Sequence, residues 1–262
     1  MAVIWGLDLR EIQWGKFKGS YMFNKVYHLR RTKMIVYQIA MILCVCSESV
    51  GTASLSDYVD QKEYLYERSD GRALVQSNDI ISIFSYNILV GVAVATIFGS
   101  GFFFDLFWPE RHESVSVKWA WKISSVVVSF MALADVLALT FIVAANRANI
   151  RGLSAQEEAF WFQVSGKPNP IYRKNGYNVA SVVLLWPGVI ASFASTYIMW
   201  KSIAHNDIYG PKAAAYRDAA KGEEASFYLP SVSPIPAAYG NNGFRTGPTS
   251  PEMSKIKPYP GT

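Results

Sequence analysis

Four long apolar runs, almost free of charge, dominate the chain: Met34 to Ser54, Ile80 to Phe104, roughly Trp119 to Ala145 and roughly Val179 to Trp200. Each has about the 20 residues that a helix rising 1.5 Å per residue needs to cross a hydrocarbon core of roughly 30 Å. Backbone polar groups in lipid must be satisfied internally, so each run has to be a helix. Composition agrees: 51% of residues are hydrophobic and only 17% charged, against about a quarter charged in soluble domains. An ordinary soluble enzyme is excluded. The expected fold is all-α, an integral membrane four-helix bundle with a disordered C-terminal tail. Residues 1–33 form a basic N-terminal arm, 34–204 the transmembrane domain and 205–262 a tail, disordered from about 226.

Lys and Arg are retained on the cytoplasmic side of a membrane, so their distribution orients the bundle. The arm, the connection from Asp105 to Lys118, the inner edge of the third span and the tail carry 17 of them, against 8 in the loops Leu55–Asp79 and Asn146–Asn178. Both termini are therefore expected in the cytoplasm. The net charge of +5 reads as this topology signal and not as a nucleic-acid surface, which would need a basic folded domain. Lys25, Arg30, Arg31 and Lys33, just ahead of the first span, are placed to attract anionic lipid. A second reading of the first run stays open. Met34 to Cys46 followed by SES and GTAS has the form of a signal-peptide core and cleavage site near Ala53, which would leave three spans.

Ionisable residues at membrane depth are expensive and become functional candidates by default. Glu48 and Asp135 are the two, with Asn87 as a polar companion. At 1.5 Å per residue they lie about 10, 15 and 10 Å in from the outer ends of their spans, close to the level of Pro187. No Lys or Arg shares that depth, so the carboxylates would be protonated, hydrogen-bonded to hydroxyls such as Ser47, Ser49 and Ser181, or holding a cation or proton. On the structural reading, Glu48 reaches headgroup water and a neutral Asp135 bonds across helices. On the functional one, the three residues line a proton or cation path.

Gly91, Ala95 and Gly99 recur every four residues in the second span, as do Gly188, Ser192 and Thr196 in the fourth. Small-residue faces let helices approach closely, within one bundle or between copies of it. Cys44 and Cys46 lie two apart within one run, which gives neither a disulfide framework nor zinc-ligand spacing. His28, His112 and His205 fall near span ends and none within a span, which disfavours haem ligation. No catalytic residue, metal site or cofactor is assigned.

The second span ends in FFFDLFWPERHES, where Phe102 to Phe104, Phe107 and Trp108 suit an aromatic belt and Pro109 stops the helix. The turn is short enough to make the second and third spans antiparallel neighbours, and Glu110, Arg111, His112 and Glu113 read as a solvated turn. Ser154 and Glu157 form a capping box ahead of AQEEAFWFQV, whose Phe160, Trp161 and Phe162 suit a short helix on the outer leaflet. Pro211 opens a short tail helix ended by Gly222, and Ser233-Pro234 and Ser250-Pro251 have the form of sites for proline-directed kinases.

The stretches CVCSESVGTASLSDYVDQ and FFFDLFWPER resemble segments of four-span proteins of filamentous fungi, and the overall layout resembles fungal tetraspan plasma-membrane proteins of MARVEL or claudin-like type. Claudin-like outer loops are built on cysteines and the loops here contain none, so MARVEL-like is the better comparison. The resemblance implies organisation of a membrane domain or trafficking, and carries no catalytic residue across. The expected function is non-enzymatic: scaffolding in the lipid bilayer, as a homo-oligomer or with other membrane proteins, and with cytoplasmic partners held by the tail. The competing expectation is a small transporter or proton/cation conductor using Glu48, Asn87 and Asp135.

Overall fold

The computed structural model describes Val3, Ile4 and the chain from Leu7 to Asp218. Four long helices form the body: α2 (Arg30–Arg68), α3 (Asn78–Phe107), α4 (Val115–Ala145) and α6 (Gly176–Tyr209). All four are long and apolar enough to cross a membrane, and the chain is a multi-pass membrane protein built as a four-helix bundle. Helix α2 packs on α3 and α6, and α4 packs on the same two from the opposite side. The core between them is lined by Met34, Tyr37, Phe84, Val94, Phe98, Val136, Leu139 and Leu185. Large apolar side chains such as Ile42, Phe130, Phe141 and Ile190 face outward, as a lipid solvent demands.

The expected spans sit inside longer helices. Helix α2 is 39 residues, about 58 Å at the standard rise, and continues to Arg68 through much of the stretch read as a loop from Leu55. Its charges hid this extension from a hydropathy reading. Ser54, Tyr58, Gln61 and Leu65 are buried at alternating four- and three-residue spacing, so the segment has one inward face, and that face is largely polar.

At this end, which we term the cap end, three elements cover the bundle. The strands β3 (Leu74–Gln76) and β4 (Asn149–Arg151) pair antiparallel, with Val75 opposite Ile150, and join the two outer loops to each other. Helix α5 (Ala155–Ser165) starts at the capping box: Ser154 N donates to Glu157 Oε2 at 3.0 Å and Glu157 N to Ser154 Oγ at 3.4 Å. Gln61 of α2 holds the far end of α5 by donating to Ser165 Oγ and to the Pro168 carbonyl, both at 2.9 Å.

The opposite end, the basic end, is closed by the arm. Strands β1 (Val3–Ile4) and β2 (Leu7–Asp8) lead through single turns and α1 (Gly19–Met22) to the start of α2. Lys16 Nζ donates to the Phe107 carbonyl at 2.9 Å, and Trp108 Nε1 to the Asp8 carbonyl at 2.9 Å. The arm also meets the chain beyond α6, with Tyr27 bridged to Lys212 and Ala213 N donating to the Val26 carbonyl at 2.8 Å. Helix α3 ends at Phe107, just before Pro109, and α4 starts with Ser114 as N-cap. The tail is helical over 214–218. Gly222, the segment from 226 and both Ser-Pro dipeptides lie outside the described residues.

Candidate functional site

A column of polar residues runs down the axis of the bundle, and each long helix contributes to it. At the cap end, Tyr172 donates to Asp79 Oδ1 at 2.7 Å and Asn146 donates to Asp79 Oδ2 at 2.8 Å. Asn178 Nδ2 donates to the Tyr58 hydroxyl at 3.1 Å, and Ser54 donates to Asn178 Oδ1 at 2.5 Å. Burial, reinforced by the hydrogen bond to the Asp79 carboxylate, pushes the Tyr172 hydroxyl well above its ordinary range. It stays neutral and serves as a donor.

One turn deeper, Ser47 and Ser181 clasp α2 to α6, each hydroxyl donating to the other's carbonyl at 2.8 and 3.0 Å. Below them, Gly188 lets α6 approach so closely that a Cβ there would lie 2.9 Å from Cys44 Sγ and 3.4 Å from the Cys44 nitrogen. Gly51 does the same against Phe84. Deeper still, the Thr196 hydroxyl donates to the Ser125 carbonyl at 3.0 Å and lies 2.8 Å from Ser129 Oγ, linking α6 to α4. Ser192 is buried and bonds back to Gly188.

Asp135 stands at the middle of this column with no exposure to the outside of the fold. Asn87 of α3 lies beside it, and Cys44 of α2, itself bonded to Ser192 of α6, is a near neighbour. Neither carboxylate oxygen accepts a hydrogen bond of normal geometry among the described residues, and the Asn87 amide reaches instead toward Ser47 Oγ at 3.5 Å. Asn87 and Asp135 thus face each other across α3 and α4 without a hydrogen bond of strict geometry among the described residues. Glu48 packs against Gly91, where an added Cβ would fall 2.9 Å from Glu48 Cβ, and is only partly buried. Asn87 and Asp135 are brought together; Glu48 sits on the α2–α3 seam. Gly99 faces Met41 on the same seam, and Ala95 between them is half-buried.

The basic end holds a second constellation that the sequence did not reveal. Asp105 receives Lys33 Nζ at 2.7 Å and Arg111 Nη1 at 3.0 Å, and Arg111 Nε donates to Glu113 at 2.5 Å. These side chains are only 9 to 16% exposed, so Arg111 and Glu113 are not in a solvated turn. Burial pulls the Arg111 guanidinium down, but Asp105 and Glu113 outweigh it and hold its pKa above the ordinary value. Arg30 is buried as well and donates to the carbonyls of Met22, Asp105 and Leu106, capping the last turn of α3 where its dipole is negative. Of the four basic residues placed to attract lipid, Arg30 and Lys33 are used internally; Lys25 and Arg31 remain on the surface. The aromatic belt is divided too, with Phe102 and Phe107 turned inward.

His28 and His205, far apart in sequence, stack face to face with ring centroids 3.6 Å apart and planes 5° from parallel. Each has one buried ring nitrogen without a partner among the described residues. Burial, the neighbouring His205 and the cations Lys33, Lys201 and Arg217 lower the His28 pKa. Burial and the Glu110 carboxylate push the Tyr27 hydroxyl up to about 12. No periodicity or spacing signals such a pair, because it depends on how the arm folds back. Among the described residues no three His, Cys, Asp or Glu side chains come together as a metal site. No family model, no curated protein and no solved structure matches the chain.

Proposed function

We propose that this multi-pass membrane protein is a non-catalytic organiser of a membrane domain, of the MARVEL-like tetraspan kind. The observation that supports it is the use to which the polar column is put. Ser47 with Ser181, Ser129 with Thr196, and Ser54 with Asn178 all join one helix to another, while the apolar circumference and the two folded ends are left to meet lipid and partners. A rigid post with separate faces suits assembly, in homo-oligomers or with other membrane proteins, and the tail would add cytoplasmic partners. We place it in a plasma membrane with both termini cytoplasmic. Cross-linking in intact membranes should trap the full chain in complexes larger than a single 29.2 kDa copy; exclusive recovery of uncross-linked single copies under conditions that trap a known dimer would sink the reading.

One observation favours a second reading, a proton or cation conductor. Asp135 keeps two acceptor oxygens without partners among the described residues at the centre of the bundle, which is where an exchangeable proton or a small cation would bind. Proteoliposomes settle between the two. Flux down a pH or cation gradient that Asp135→Asn abolishes, with the fold intact, would put conduction first.

A further inference from the structure

The basic end encloses a cavity of about 190 Å³, many times the roughly 10–15 Å³ that one water needs. All four long helices supply its walls, among them Tyr37 of α2, Asp105 of α3, Trp121 of α4 and Asn206 of α6. Tyr37 is buried in the fold and lines the cavity.

The charges around the cavity are ordered. Three cations, Lys33, Arg111 and Lys118, and three carboxylates, Asp105, Glu110 and Glu113, line it, so their formal sum is zero. The deep members are consumed by one another in the chain Lys33–Asp105–Arg111–Glu113. The rim members are paired nearer the surface: Lys118 with Asp207 at 2.5 Å, its side chain 30% exposed, and Glu110, 55% exposed, with Lys212 at 3.8 Å and the Tyr27 hydroxyl at 3.2 Å. A simple anion or a simple cation entering here would unbalance this neutral set, and each would break a rim pair whose other member it could not satisfy. A ligand bearing both charges satisfies both rims, and the Trp121 face adds a site for an ammonium. The cavity also lies at the level of Trp119 and Trp200, whose exposed rings suit the headgroup region of a bilayer.

We propose that this cavity binds a small zwitterion, a phosphate and an ammonium joined by a short linker, with the phosphate toward Lys118 and the ammonium toward Glu110 and Trp121. The same chemistry is presented by the headgroup of a zwitterionic phospholipid and by free phosphoethanolamine or phosphocholine.

The test uses the purified, delipidated full chain. Calorimetric titration with phosphoethanolamine, phosphocholine, inorganic phosphate and ethanolamine, and native mass spectrometry from nanodiscs of phosphatidylethanolamine, phosphatidylcholine or phosphatidylglycerol, separate the two sources. Binding of the free zwitterions assigns a soluble ligand; retention of the zwitterionic lipids alone assigns a headgroup. In either case the zwitterion should bind at least about tenfold more tightly than phosphate or ethanolamine, and Lys118→Gln and Glu110→Gln should each weaken it by about tenfold. Both substitutions fall on the exposed rim, where the lost ion pairs contribute little to stability. Should either variant unfold, competition on the unaltered chain decides, since inorganic phosphate must displace the zwitterion poorly. The proposal is overturned if no zwitterion binds, if phosphate alone or phosphatidylglycerol binds as tightly, or if both folded variants bind as the unaltered chain does.

Discussion

At the scale of single residues, Asp135 is the position where geometry changes the expected sign of a substitution. A carboxylate bonded between helices would lose about 0.6 kcal/mol on replacement by Leu, the average for such bonds in another membrane protein. Here both oxygens are buried without a well-aligned partner among the described residues, and leaving buried acceptors unsatisfied costs about 1–3 kcal/mol. Asp135→Leu should therefore stabilise the bundle, read as a higher unfolding temperature in detergent; a fall in that temperature would show that Asp135 holds the helices together. His28 gives a pH dependence at the other end. Its folded pKa lies below its unfolded value, so its contribution to stability is complete above the ordinary pKa of 6.5 and declines as the pH falls through 6.5 toward the folded value. The acid form is disfavoured first by burial, then by the stacked His205 and by Lys33, Lys201 and Arg217. Proteolysis at the exposed Lys25 should accelerate below that pH, and His28→Phe, which keeps a stacking ring without a titrating group, should flatten the profile. A profile unchanged in His28→Phe would assign the acid sensitivity to other groups. Glu48, Asn87 and Asp135 were legible in the sequence because charge and amide stand out in an apolar run. Whether each found a partner was not, since that depends on the rotation of each helix about its axis.

Among the elements, the four spans could be read in the sequence because lipid forces long apolar runs, and their small-residue faces because a missing Cβ is visible in the residue type. What a small face packs against was hidden. Gly188 meets the backbone of α2 at Cys44, so Gly188→Ala should overpack the seam at a cost of about 1–3 kcal/mol. Gly176, with nothing near its Cβ position, should accept Ala with little change. Unfolding temperatures of the two variants, compared in one detergent, check the contrast, and equal losses would refute the close approach of α6 to α2. Helix α5 was legible from its capping box, and Ser154→Ala should cost about 1 kcal/mol, seen as faster hydrogen exchange over 155–165 with the long helices unaffected. The pairing of β3 with β4 escaped because three residues are too few to establish an alternating pattern. The extension of α2 past Ser54 escaped because its buried face carries Tyr58 and Gln61 where a membrane pattern would carry Leu. Both belong to the cap, whose stability comes from contacts between segments far apart in sequence.

For the whole molecule, the two ends differ in chemistry, and that difference bears on orientation. The basic end gathers Lys33, Arg111 and Lys118 around the carboxylates of Asp105, Glu113 and Asp207, with Arg30 donating to the Asp105 backbone carbonyl. The cap end is instead held mainly by neutral donors: Tyr172 and Asn146 donate to Asp79, Asn178 to the Tyr58 hydroxyl and Gln61 to the Pro168 carbonyl. Some basic residues at the first end thus serve packing as well as topology, yet they still resist translocation, because the insertion machinery acts on the chain before those ion pairs exist. The count of 17 against 8 therefore keeps its meaning, and an even number of spans returns the chain to the side from which it started. Protease added to sealed, right-side-out membranes should leave an epitope placed after Thr262 intact and should cut the exposed face of the cap end, for instance at Lys174. Opening the vesicles with detergent should expose the epitope at once. Loss of the epitope in sealed vesicles would invert the orientation or change the number of spans, and intact mass separates those outcomes: cleavage near Ala53 removes α2 up to its middle, shortens the 29.2 kDa chain and leaves three spans. With α2 gone, Ser47, Lys33 and Arg30 go with it, so Ser181 and Asp105 would each lose a partner. The same helix thus supplies the span, the upper clasp of the column and two cations of the basic end, and a mature chain without it would have to rebuild all three.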